Sequence, residues 1–153
     1  MLTYIAVMVT GFLMAADPQA AATNGKIFKS DKGTCQAALP SDWTIDTSGP
    51  ATAADQKKTV NVMVLHEADA KVQKRSEAVI KGVYDATKIF ENSDQRLFIE
   101  STVPGFGPNP PKRKWESLVP TGPKGACQVI ITMKDGASEA VARGIVMSLK
   151  PAQ

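Results

Sequence analysis

The sequence predicts an α+β fold in which a largely antiparallel sheet is covered by two helices, forming an α/β sandwich. Short apolar or alternating runs, bounded by glycine, proline and polar clusters, indicate strands along most of the chain. Two segments, 69–90 and 137–151, instead have apolar side chains at helical spacing. The connections between successive strands are mostly short, which favours antiparallel pairing over parallel crossovers.

The first part of the chain predicts several short strands and one long one. Residues 26–39 read as two short strands around a Ser-Asp-Lys-Gly turn, and residues 42–47 as another extended piece. The polar segment 48–58 contains Gly-Pro and is predicted to be a loop. Within 59–68 the run VNVMVL is apolar at nearly every position, as in a central strand covered on both faces.

Residues 69–90 predict a long helix that packs an apolar face on the sheet. Asp69 is a suitable N-cap, because its side chain can accept a hydrogen bond from a free backbone N–H of the first turn. Gly82 lowers the helix propensity by about 1 kcal/mol relative to alanine. The residues that share the predicted apolar face are Val72, Ser76, Val79, Ile80, Val83, Thr87 and Phe90.

The second half of the chain predicts strands at 95–104 and 114–120, a strong strand at 126–136 and a final helix at 137–151. Residues 105–113 contain three prolines and two glycines, so no regular element is expected there.

Residues 1–22 are predicted to be a cleaved signal peptide, followed by a single exported domain at 23–153. The apolar run from Leu2 to Ala16 is shorter than the roughly 20 residues of a membrane-spanning helix and suits a secretory leader. Three alanines precede Thr23 as a cleavage site, and a cut after Ala16 is the alternative. Because no Lys or Arg precedes the apolar run, an uncleaved anchor or an unstructured leader is the other interpretation.

The charge and the predicted export of the chain limit the classes of partner that it can have. The chain carries 18 Lys and Arg residues against 15 Asp and Glu residues, a net charge of +3. These charges are dispersed, so a nucleic-acid partner is not expected. Export predicts a periplasmic or secreted protein without a membrane span once the leader is removed.

The two cysteines, Cys35 and Cys127, lie in nearly identical tetrapeptides, GTCQ and GACQ, in which a turn glycine leads into a strand. A redox CxxC motif needs neighbouring thiols. A metal site needs three or four ligands at workable spacing, and the chain has one histidine. Two cysteines in an exported chain therefore favour a structural disulfide that joins an early strand to a late one. Free buried thiols, or a redox or metal role, are the alternatives.

The order of elements resembles the PsbP-like fold. The resemblance rests on LPSDW at 39–43 after the opening hairpin, the strand VNVMVL, the helix after it, and the closing strand and helix at 127–150. This fold is shared by photosystem II extrinsic subunits, Ran-binding nuclear import factors and many small bacterial exported proteins. The resemblance spans roughly residues 26–150 and implies an adaptor, assembly or binding role. It transfers no functional residue, and the segments FENSDQRLF and 105–113 have no counterpart in it.

The sequence contains none of the common catalytic motifs. GxSxG, HExxH, P-loop and GxGxxG patterns are absent, and His66 lies at the end of an apolar strand, where a structural role is expected. The prediction is a non-catalytic exported accessory or binding protein of the cell envelope, with no enzyme activity, cofactor or metal. A soluble carrier of small ligands, or a small hydrolase with an unrecognised site, is the alternative.

The proline-rich segment before Trp115 contains the predicted binding surface. Phe106 and Trp115 flank Lys112, Arg113 and Lys114, and aromatic side chains beside basic ones favour acidic or planar partners. The expected partner is an acidic protein or envelope component. The alternative is a connecting loop in which Trp115 is tucked into the sheet and the three basic side chains are solvated.

Overall fold

The computed structural model describes residues 25–123 and 125–153, which form ten strands and two helices. The predicted signal peptide at 1–22 lies outside the described residues. The strands are β1 (Lys26–Lys29), β2 (Cys35–Leu39), β3 (Thr44–Asp46), β4 (Thr52–Ala54), β5 (Val60–Glu67), β6 (Lys88–Asn92), β7 (Leu97–Val103), β8 (Lys112–Pro120), β9 (Ala126–Met133) and β10 (Lys150–Pro151). The helices are α1 (Glu77–Tyr84) and α2 (Glu139–Ser148). Neither helix is long and apolar enough to cross a membrane.

The strands form two antiparallel sheets. Seven strands pair in the order β3-β4-β5-β9-β8-β7-β6, and three pair in the order β1-β2-β10. The inner face of the large sheet packs against the small sheet and α2, and the opposite face is called the outer face. This architecture confirms the predicted α+β class.

Alternation along the central strands builds the core on the inner face. Every second residue of the range 127–133 in β9 is buried. Val62 of β5 and Trp115 of β8 flank Ile131 and are likewise buried. Leu39 of β2 closes the same cluster from the small sheet. Burying a large apolar side chain stabilises the fold by about 1.5–3 kcal/mol, so this layer is the main source of stability.

Helix α1 covers one end of the outer face. Ser76 is its N-cap and accepts a hydrogen bond from the third residue beyond it, and Asp85 ends the helix in the left-handed region at φ 50°. Ile80 is fully buried against Leu97 and Ile99 of β7. The other end of the outer face, where β5 begins, is left open to solvent.

The predicted helix at 69–90 is wrong in extent, and Asp69 is not its N-cap. The segment before α1 is held by the side chain of Asn92 in β6. Asn92 Oδ1 accepts from Arg75 N at 3.0 Å, and Asn92 Nδ2 donates to Arg75 O at 2.7 Å. After the helix, Thr87 N donates to the carbonyl oxygen of Glu100 in β7 at 2.8 Å. These longer-range bonds hold both flanks extended.

The apolar face assigned to that helix is also only partly correct. Ile80 is buried, whereas Val79 and Val83 are 46% and 63% exposed. Phe90 belongs to β6, at a break in its register with β7, and its ring stacks on Phe98 with the centroids 4.4 Å apart. The apolar residues of α1 and β6 happen to continue the same helical spacing, so the sequence pattern did not show where the helix ends and the strand begins.

Two loop predictions missed strands. The segment 48–58 contains β4, whose Ala53 is buried opposite Val62. Strand β8 begins at Lys112, two residues inside the segment predicted to be irregular. Strand β5 is interior to the sheet as predicted, but Asn61 on its outer face is exposed, so the strand is not covered on both faces.

The last turn of α2 is stabilised from the β6–β7 hairpin. The helix has no basic residue in its own last turn. Arg96 Nη1 donates instead to Val146 O at 2.7 Å and to Ser117 Oγ at 3.2 Å. A cation beside the free carbonyl groups of a helix C-terminus is favourable, so one arginine joins the hairpin, the sheet and α2.

The predicted disulfide is present. Cys35 of β2 and Cys127 of β9 are bonded, with their Cα atoms 5.4 Å apart and both side chains fully buried. Gly33 and Gly125, two residues before each cysteine, have φ of 68° and 99°, a conformation that favours glycine. The bond covalently joins the small sheet to the centre of the large one. Disulfides of this kind are typical of proteins that fold in an oxidising compartment.

We expect the double substitution Cys35→Ala, Cys127→Ala to lower the free energy of unfolding by about 2–5 kcal/mol, because it removes a constraint on the unfolded chain. Urea denaturation with and without a reductant measures this. The reductant should lower the midpoint of the parent and leave the variant unchanged. A variant that unfolds at the parent's midpoint would show that the bond does not stabilise the fold.

Candidate binding groove

The structure separates the residues predicted to form one binding surface. Phe106 is 88% exposed at the tip of the β7–β8 hairpin, as expected of a contact residue. Trp115 is fully buried in β8, so it cannot meet a partner on the surface of the folded protein. The basic residues do not lie in an irregular loop either, since Lys112, Arg113 and Lys114 are the first three residues of β8.

The tip of the β7–β8 hairpin is a tight turn rather than an open loop. Asn109 N donates to Phe106 O at 3.1 Å, and Gly107 between them has φ of 58°. A Cβ added to Gly105 would lie 2.5 Å from the carbonyl oxygen of Asn109 and 2.8 Å from the nitrogen of Pro111. This close approach of two backbones, together with the prolines, restricts the backbone of the turn that carries Phe106.

Arg113 is engaged within the protein. Its guanidinium donates to Glu100 Oε2 at 2.6 Å and also pairs with Glu139 of α2. The indole Nε1 of Trp115 donates to the same Glu100 oxygen at 2.7 Å. Partial burial acts to raise the pKa of Glu100, but the hydrogen bonds from Trp115 and Arg113 and the charge of Lys88 outweigh it and lower the pKa. Glu100 therefore serves as a charged anchor at the rim of the inner face.

The rings around Trp115 hold a second guanidinium. Phe90, Phe98 and Trp115 pack together, with centroids 4.4–5.3 Å apart. The guanidinium carbon of Arg143 in α2 lies 5.1–5.5 Å from the three ring centroids. Such cation–π contacts attach α2 to the sheet. Of the predicted aromatic and basic residues, Trp115 and Arg113 do lie together, with the guanidinium carbon 5.8 Å from the ring centroid. The contact is made within the protein, and the other members of this cluster, Phe90, Phe98 and Arg143, were not predicted.

Lys114 is also paired. Its ammonium lies 3.1 Å from Glu116 Oε2 on the outer face, and Glu116 Oε1 accepts from Gln128 Nε2 at 2.6 Å. Glu116 is only 6% exposed. The expectation that all three basic residues are solvated is therefore wrong for Arg113 and Lys114.

Lys112 lies instead at an open groove on the outer face. The groove has a volume of about 520 Å³ and extends across β3, β4, β5, β9 and β8 at the end of the sheet where β5 begins. The strand register places Thr44, Ala54, Asn61 and Thr132 opposite one another. Their side chains form one row, so the floor of the groove presents hydroxyl and amide groups beside the apolar side chain of Ala54.

Three lysines lie along one side of the groove: Lys58, Lys112 and Lys134. Arg113 of β8 faces Met133 of β9. The next pair of facing positions is therefore Lys112, at the start of β8, and Lys134, just after the end of β9. Within residues 25–123 and 125–153, none of the three has a carboxylate oxygen within 4.0 Å. Like charges at facing positions repel one another, and no described carboxylate forms a direct ion pair with this cluster.

The turn that carries Lys58 is firmly built. Asp55 Oδ1 accepts from Val60 N at 2.8 Å, Oδ2 accepts from the Thr59 hydroxyl at 2.7 Å, and Lys58 N donates to Asp55 O at 2.9 Å. Burial acts to raise the pKa of Asp55, but these hydrogen bonds to its carboxylate prevail and lower it. The backbone of Lys58 is thereby held in the left-handed region, at φ 53°.

The opposite side of the groove is acidic. Asp46 of β3 lines it, and its Oδ1 accepts from Ser48 N at 2.9 Å. The hydrogen bonds from Ser48 lower the pKa of this fully exposed carboxylate, so it is ionised at neutral pH. The groove thus has a cationic side on β5, β8 and β9 and an anionic end on β3.

The sequence reasoning missed most of this groove. Lys58 and Asn61 come from one segment and Thr132 and Lys134 from another, and only the pairing of β5 with β9 brings the two segments together. The signals in the sequence were Asn61 within the otherwise apolar run of β5 and the polar residues Gln128 and Thr132 along β9. Among the described residues, no cluster of three or more histidine, cysteine or acidic side chains could hold a metal ion.

No family model matches the chain, and no curated protein matches it either. The fold is similar to that of a crystal structure from Bacteroides thetaiotaomicron VPI-5482, with a TM-score of 0.62 at 17% sequence identity. The alignment covers 86% of this chain and 50% of that one, so the chain spans about half the length of that protein. At this identity the likeness shows the fold alone.

We expect Glu100→Gln to lower the free energy of unfolding by about 1–2 kcal/mol at pH 7, since it weakens charge-assisted hydrogen bonds that are partly exposed. The folded-state pKa is lowered, so this stability is present above the unfolded pKa and is lost as the pH falls through the folded value. Urea titrations of parent and variant at pH 7 and near pH 3 test this. The more exposed Glu139→Gln is the control, with an expected loss of about 0–1 kcal/mol. An equal loss for Glu100→Gln at both pH values would assign the effect to packing instead of charge.

Proposed function

We propose that this protein is a non-catalytic, exported binding domain that takes an acidic partner in the open groove of its large sheet. One observation carries the proposal: Lys58, Lys112 and Lys134 line one concave surface, and no described carboxylate oxygen lies within 4.0 Å of any of them. By contrast, the neighbouring Arg113 and Lys114 each form an ion pair with a carboxylate of the protein itself. An anionic ligand would supply the missing charge.

Repulsion among the three lysines destabilises the free protein. An anion that binds between them relieves this repulsion and adds favourable attraction, so the cluster favours the complex. Ammonium groups at the rim also steer a negatively charged partner during association. The hydroxyl and amide groups of Thr44, Asn61 and Thr132 can hydrogen-bond a polar ligand over the floor. An acidic protein segment or an acidic envelope component has this chemistry.

The cellular setting remains a proposal of the same kind. A disulfide between fully buried cysteines suits a periplasmic or secreted protein, and a signal peptide at 1–22 would provide the export route. We also propose that the chain belongs to the PsbP-like fold, whose members are mostly adaptors and binding subunits. Phe106, which is exposed at the same end of the sheet as the groove, would add apolar contact area.

We expect poly-L-glutamate to bind the parent protein with an affinity that falls as salt rises. The triple substitution Lys58→Ala, Lys112→Ala, Lys134→Ala should weaken binding by about 3- to 100-fold, because each exposed charge contact contributes about 0.2–1 kcal/mol. Biolayer interferometry at several salt concentrations measures this.

The matched control is Lys29→Ala, Lys32→Ala, Lys71→Ala, which removes the same charge from exposed positions outside the groove. It should retain at least most of the parent's affinity. An equal loss in both triple variants would mean that net charge alone governs binding, and the proposal of a groove site would fail.

A further inference from the structure

The two ends of the groove carry opposite charges. This arrangement restricts the length and orientation of a ligand more than a cationic patch alone would. Asp46 lines the groove on β3, at one edge of the large sheet, and Lys134 lines it where β9 ends. Register relates the two positions: Asp46 faces Thr52, Thr52 faces Met63, and Met63 faces Ile130. Lys134 therefore lies three strands across and four residues along from Asp46.

These steps set the length of ligand that would contact both ends. Three strand spacings of about 4.8 Å and four residue rises of about 3.3 Å give a diagonal of roughly 19 Å between the two Cα positions. An extended chain covers that distance in about six residues. A single phosphate or sulfate ion could meet the lysines but could not reach Asp46.

The groove floor narrows the chemistry further. Its row of Thr44, Asn61 and Thr132 offers donors and acceptors along the path between the charged ends. Among the described residues, no aromatic side chain lines the groove, whereas proteins that bind single-stranded nucleic acids stack the bases on aromatic rings. A peptide backbone, which has both N–H and C=O groups at short intervals, matches such a floor.

We infer that the groove binds an extended peptide segment of about six residues in one direction, with acidic residues over Lys112 and Lys134 and a basic residue at Asp46. This inference rests on the proposed binding function and adds the class and the orientation of the ligand. Asp46 is the determinant of direction, since a uniformly acidic chain would be repelled there. A segment with separated charges is therefore selected over a purely acidic one.

The test uses three synthetic peptides, each acetylated at the N-terminus and amidated at the C-terminus. The first is Glu-Glu-Glu-Ser-Ser-Ser-Ser-Lys, the second replaces the lysine with serine, and the third lacks the four-serine spacer. Affinities for the parent, for Asp46→Asn and for the triple lysine variant of the groove are measured by fluorescence anisotropy at constant ionic strength.

The parent should bind the first peptide about two- to fivefold more tightly than the second, the size expected of one exposed charge contact. Asp46→Asn should abolish that preference while still binding both peptides, and the triple lysine variant should lose binding of both. The third peptide should bind the parent and Asp46→Asn with equal affinity, because it is too short to contact both ends of the groove.

The outcomes separate the two proposals. Equal binding of the first two peptides by the parent, with loss in the triple lysine variant, would overturn the directional inference and leave the anionic-ligand function standing. Failure of the parent to bind either peptide or poly-L-glutamate would overturn the function itself.

Discussion

Strand β9 and its register with both neighbours are the constraint on which the rest of the structure depends. Its inner-face residues include Cys127 and Ile131 and form the centre of the core, while its outer-face residues include Thr132 in the groove floor. Because side chains alternate strictly along a strand, a slip of one residue would exchange these two sets. Such a slip would also move Cys127 away from Cys35, so the disulfide and the apolar pattern specify the same register.

The same alternation explains why the three consecutive basic residues of β8 have different surroundings. Arg113 points to the inner face, where it meets two carboxylates, while Lys112 and Lys114 point to the outer face. Lys114 is neutralised by the buried Glu116, which leaves Lys112 as the member that lies at the groove. A cluster that is continuous in sequence is thus divided between the stability of the fold and an open surface.

The sequence was sufficient for elements whose pattern is set by their own residues. The apolar run of β5, the strong strand β9 and the helix α2 were each predicted, as was the pairing of Cys35 with Cys127. The sequence was insufficient where contacts with residues distant in the sequence determine the local structure. Asn92 holds the approach to α1 extended through two hydrogen bonds that no local pattern reveals, and β4 is too short for its period to be recognised. The groove could not be predicted, because its lysines are adjacent only after β5, β9 and β8 have paired.

The position of the disulfide has a consequence for the protein as a substrate of proteases. The bond closes a ring of chain between residues 35 and 127, and that ring contains α1, the β7–β8 hairpin and the turn that carries Lys58. Exposed loop tips such as these are where proteases cut most readily. A single cut inside the ring does not divide the molecule, because the two fragments remain covalently joined through sulfur at the interface of the two sheets. Where thiol reductants are scarce, a nicked molecule would therefore keep its two sheets attached.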